Sequence, residues 1–146
     1  MGWTPGLVVL VNSSMLARTL DYQELAFRAV PVPALGLHAR ALAPVHALLF
    51  ACIHRAGHAH APYHLDAREQ VNGDRLIWLY DIHLLVTGMS PAELNEFAAL
   101  ATARKIRAIC LDALQRTAEC FATPIRAQII DMLNATGPKE ASAHFV

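Results

Sequence analysis

The sequence predicts an all-α fold, a single-domain bundle of five or six helices whose only β candidate is a short N-terminal strand, Leu7 to Val11. Three observations point there. Ser90-Pro91-Ala92-Glu93 is a capping-box signature that opens a helix, the run Arg75 to Val86 (RLIWLYDIHLLV) is apolar on every side of a helix, and apolar residues elsewhere recur three and four apart. One helical domain over residues 1–136 and a disordered tail over 137–146 account for the length of 146 residues.

Composition narrows the function classes. Hydrophobic residues make up 55% of the chain and charged ones 16%, a balance shifted toward burial that leaves apolar surface for a partner. Twelve basic and twelve acidic side chains cancel without any run of like charge, which excludes a general nucleic-acid binder. The longest uninterrupted apolar run, Ala47 to Ile53, is far too short to cross a bilayer, and Leu7 to Val11 is too short for a secretory core. Three cysteines, Cys52, Cys110 and Cys120, without a CxxC spacing, suit reduced, buried thiols in a cytoplasmic protein.

Taken in order, Leu7 to Val11 is continuous and β-branched, as a buried strand would be. From Met15 or Thr19 to Ala29 the pattern is helical, with Asp21 near the start where the helix dipole favours an acid. Pro31 and Pro33 make Val30 to Leu37 an extended connector. Pro44 suits the first turn of a helix reaching about His60, with Val45, Leu48, Leu49, Cys52, Ile53 and Ala56 as its core stripe. Ala61 to Gly73 reads as a loop of about a dozen residues, long enough to suspect function. Asn72 or Asp74 caps the central helix, which Gly88 ends. A helix from Pro91 follows, then one over about Lys105 to Phe121, and Thr123-Pro124 restarts a last helix that stops near Gly137.

The Arg75 to Val86 stretch organises the functional reading. An all-round apolar helix is a buried one, so Asp81 faces a hydrophobic interior where an unpaired carboxylate is costly. It needs a partner, and Arg55, His54 and Arg75 are the cationic candidates. An Arg partner holds a carboxylate ionised at neutral pH, whether as a structural ion pair or beside a cleft.

Two further spacings are weaker. His54 and His58 lie one helical turn apart, the separation at which two imidazoles meet one Zn²⁺, with His60, His64, Asp81 or His83 to complete the set. That spacing arises readily by chance, and solvated or core histidines are the favoured reading, so no metal ligand is assigned. Arg55 and His60 have the Arg-x4-His spacing of a class of helical-bundle ribonucleases, for which an ordinary Arg and a helix-end His are the simpler account.

Three segments together carry a resemblance: PVHALLFACIHRAGH (Pro44 to His58), RLIWLYDIHLL (Arg75 to Leu85), and a helix opened by SPAEL with FATP (Phe121 to Pro124) after it. In that order they resemble the C-terminal helical half of a family of uncharacterised bacterial nucleotidyltransferases of the DNA polymerase β-like superfamily, over about Met15 to Leu133. The resemblance implies transfer of a nucleoside monophosphate from an NTP with Mg²⁺. It also implies that His54, Arg75 and Asp81 sit beside the nucleotide cleft, as groups that face the triphosphate or the base or stand directly behind those that do. The candidate catalytic residues are then Asp81 and His54, and the candidate substrate-binding ones Arg75 and Arg55.

Such enzymes hold two metals on a Gly-Ser turn, an Asp-x-Asp pair and a later acid. The sequence has no Gly-Ser dipeptide and no Asp-x-Asp, and LVVLV contains no acid. The expectation is therefore a truncated or degenerate nucleotidyltransferase, inactive as an isolated chain unless a missing N-terminal domain or another chain supplies the sheet. The alternative is a non-catalytic helical module for interaction or homo-oligomerisation.

Overall fold

The computed structural model describes residues 19–59, 62–65, 68–71 and 73–135. The strand expected at Leu7 to Val11 and the tail after 136 lie outside them. The fold is mainly α, as expected, with six α-helices among the described residues. The chain divides between Ala43 and Pro44 into two compact units.

In the first unit, α1 (Tyr22–Arg28) starts at Asp21, whose carboxylate accepts from the Gln23 amide at 3.3 Å. The segment expected to be an extended connector folds back on itself. Strand β1 (Val30–Pro31) pairs antiparallel with β2 (Arg40–Ala41) across a short 3₁₀ turn at Pro33–Leu35. Gly36 closes that turn at φ +125°, a conformation only glycine adopts without strain.

The second unit is a bundle built around α2 (Pro44–Ala59), which packs against three other helices: α3 (Leu76–Gly88), α4 (Pro91–Ala103) and α5 (Arg107–Phe121). Helix α6 (Ala127–Asn134) closes the far side on α4 and α5. The predicted α2 stripe of Val45, Leu48, Leu49, Cys52, Ile53 and Ala56 is buried throughout. The capping box is present: the Ser90 hydroxyl accepts from the Glu93 amide at 3.2 Å, and the Glu93 carboxylate accepts from the Ser90 amide at 2.7 Å. These bonds hold the Glu93 carboxyl below its usual range, the Ser90 backbone bond contributing most.

Four expectations are corrected. Helix α3 is not buried all round: Leu79, Ile82 and Val86 face the bundle, whereas Leu76 (67% exposed), Ile77 (60%), Tyr80 and Leu84 face outward. Its main packing partners are α2 and α5, so one flank remains uncovered, and the helix at the centre is α2. Within the expected loop, β3 (Pro62–Leu65) and β4 (Arg68–Val71) pair antiparallel, with Leu65 opposite Arg68. Pro62 opens β3 and pairs with Val71, and strand pairing satisfies backbone groups that a loop would leave to water. Cys120 is exposed, unlike the buried Cys52 and Cys110; all three are free thiols.

The last correction concerns helix starts. The α3 N-cap is Arg75 and no side chain caps it, because Asp74 is engaged elsewhere. Thr123 does not open α6 either. Its hydroxyl donates to the Thr117 carbonyl (3.3 Å) and therefore accepts, at 2.8 Å, from Nδ1–H of His83. Phe121 packs on the Tyr80 and His83 rings, so the FATP segment ties the end of α5 to α3. Between them Ala122 ends α5 in the left-handed region (φ +51°, ψ +36°), where a Cβ is penalised. Ala122→Gly is expected to stabilise the protein by about 1 kcal/mol, read as a higher urea midpoint at unchanged slope.

Candidate functional site

Two clusters flank the junction of α2 and α3. The inner one is an ion triad around a buried guanidinium. Arg55 sits on α2 with its side chain 5% exposed, and its guanidinium takes Asp74 bidentately, with Nε to Oδ1 and Nη2 to Oδ2 (2.7 Å). Nη1 donates to Oδ2 of Asp112 on α5 at 2.6 Å. Burial alone would lower the Arg55 pKa, but the hydrogen bonds it donates to Asp74 and Asp112, with their charges, outweigh it, and the pKa is raised. The triad opens on a cavity of about 330 Å³ that Leu79, Arg116, Glu119 and Cys120 also line.

The outer cluster is a ladder of rings. Phe50, His54 and His58 succeed one another at four-residue spacing along α2, with centroid separations of 6.0 Å and 4.5 Å. Trp78 of α3 lies across from them, edge-on to His54 at 5.7 Å and tilted against His58 at 5.9 Å. The Arg75 guanidinium stands 5.3 Å over the Trp78 ring. The patch thus joins an exposed cation to stacked aromatic and imidazole faces at one rim.

Asp81 is exposed at this rim instead of embedded. Among the described residues no ion pair or hydrogen bond reaches it, and Arg55 has Asp74 and Asp112 as partners in its place. The outward position of α3 explains the difference, since a carboxylate that keeps its water needs no buried cation. Asp81 does act on an imidazole: its charge raises the pKa of His54, against burial and the neighbouring His58, which lower it more. His54 is therefore displaced below its ordinary value of 6.5.

The sign of that shift sets a pH dependence. As pH falls through about 6.5 the unfolded chain takes up a proton before the folded one does, so stability is full above that value and declines below it. Melting temperature is expected to fall between pH 7 and pH 5, and less steeply in His54→Asn; equal slopes in the two proteins would refute this assignment.

The structure thus brings His54, Asp81 and Arg75 to one rim and sets Arg55 behind it. His58 and Trp78 join them there. The fourfold spacing on α2 signalled His58, whereas nothing local signalled Trp78, since its outward-facing neighbours are equally apolar. His60 lies outside the described residues, as do the side chains of His64 and the rest of the hairpin. His83 is spent on Thr123. Among the described residues no three His, Cys, Asp or Glu side chains cluster so that they could hold a metal ion.

Residues 10–122 match a sequence family described as an uncharacterised nucleotidyltransferase. The chain belongs to that family. The match spans β1, β2 and α1 through α5, so this nucleotidyltransferase-family chain carries both clusters inside the matched region. No curated protein and no solved structure matches this family member. No helix among its described residues is long and apolar enough to cross a membrane.

Proposed function

We propose that this chain supplies the nucleotide-facing helices of a cytoplasmic nucleotidyltransferase and does not carry out transfer unaided. What supports the reading is the convergence of Arg75, Trp78, His54 and Asp81 on one rim in a member of that family. Arg75 offers a cation to a triphosphate, and the Trp78 and His58 faces offer stacking to a base. His54, neutral near pH 7, and Asp81 are the groups there that can accept a proton from an acceptor substrate. The acids that would hold Mg²⁺ in such a transfer come from outside the described residues, as a degenerate or divided enzyme requires. Arg55, committed to two carboxylates, supports the rim from behind.

Calorimetry with Mg²⁺-ATP tests the reading. Binding is expected in the wild type, weakened roughly tenfold in Trp78→Ala for the loss of one stacking face and comparably in Arg75→Ala. No heat from the wild type, alone or with a partner carrying the missing acids, would overturn it.

One observation favours a second reading, a non-catalytic module that self-associates. The outer face of α3 exposes Leu76, Ile77, Tyr80 and Leu84 side by side, an apolar surface of the kind that docks. Light scattering showing a clean monomer at high concentration would remove it.

A further inference from the structure

The first turn of α3 is only partly buried, through Trp78 against His54 and His58. No side chain caps it, Leu76 and Ile77 point into solvent, and the first buried residue of the helix is Leu79. A helix start with no side-chain cap and little burial frays. Yet Arg75 and Trp78 lie within that turn, and the rim depends on where they stand. Asp74, the residue just before it, is the one whose carboxylate grips buried Arg55 of α2 bidentately. Arg55 is in turn fixed from the far side by Asp112 of α5, 57 residues away.

We propose that Asp74 is a positioning residue: anchored on Arg55, it sets the start of α3 and thereby holds Arg75 and Trp78 opposite His54 and His58. The arrangement is a tether from outside the helix doing what a cap does from within. Because Arg55 follows His54 directly on α2, the anchor and the middle ring of the ladder belong to the same helical turn, so the tether fixes both sides of the rim relative to each other. Asp112 has a separate role. It neutralises and orients Arg55 from α5, and its hydrogen bond goes to Arg55, not to the start of α3, so the two carboxylates, similar in burial at 21% and 27% exposed, differ in what they control. The consequence for nucleotide binding rests on the function proposed above; the tether itself does not.

The comparison of Asp74→Ala with Asp112→Ala tests this in the full chain carrying Trp3→Phe, which leaves Trp78 as the sole tryptophan. Both variants are expected to lose melting temperature. Asp74→Ala alone is expected to shift Trp78 emission to the red and to weaken Mg²⁺-ATP binding at least tenfold, with Asp74→Glu restoring part of both. Asp112→Ala should leave emission and affinity within twofold of the parent. Should Asp74→Ala not fold, Asp74→Asn, which keeps one acceptor oxygen, is read for the same shift. Unchanged Trp78 emission in a folded Asp74 variant, or an equal change in Asp112→Ala, overturns the tether. A Trp78 shift in Asp74→Ala together with a parent that binds no ATP upholds the tether and refutes the nucleotide reading instead.

Discussion

Arg55→Met is expected to lower the unfolding free energy by about 3 kcal/mol. The side chain is 5% exposed and holds two carboxylates from elements 19 and 57 residues away. Methionine fills much of the same volume but leaves Asp74 and Asp112 together without a cation. The loss belongs at the lower end for a broken buried pair, because both carboxylates retain some water. It should arise mainly from those two stranded charges, so the triple variant R55M/D74N/D112N is expected to regain part of it. Urea unfolding monitored by circular dichroism checks both statements. A single-variant loss under about 1 kcal/mol would reduce the triad to the energetic level of a surface ion pair.

Phe97→Ala is expected to cost about 4 kcal/mol. Phe97 is 0% exposed and stands at the middle of α4, the helix that packs against α2, α5 and α6. Its neighbours on the same face, Ala98 and Ala101, are also fully buried and have no side chain that can swing into the vacated space. Lost transfer energy and an unfilled cavity therefore add. Phe97→Leu, which keeps most of the volume, is expected to cost about 1 kcal/mol. Guanidinium unfolding of both variants measures the difference, and near-equal values would mean that the helices close over the gap.

The parts of the fold legible in the sequence were those fixed within a few residues. Asp21 and the Ser90-Glu93 box bond to amides two or three positions on, and the α2 stripe repeats every three to four residues, so residue type and spacing suffice to locate them. The same regularity placed His54 and His58 on one face, and the ordered segments PVHALLFACIHRAGH and RLIWLYDIHLL led to the family that residues 10–122 match. Asp81 was sought as the buried acid, whereas Asp74 and Asp112 are the acids that Arg55 holds. Local pattern could not choose among them, since all three stand on or beside helices that reach Arg55's neighbourhood only after folding.

What the sequence determined by itself is thus a mainly helical chain of this family, its helix limits near α2, α4 and α5, and the inward face of α2. Tertiary structure alone decided that α2 and not α3 lies at the centre, that residues 62–65 and 68–71 pair as strands, that Asp81 stays in water, and that Arg55 serves two carboxylates. The reason is one of range. Capping and helical periodicity close within one or two turns, while the side of an all-round apolar helix that is covered, and the acid that meets a given guanidinium, depend on which distant surfaces packing brings together.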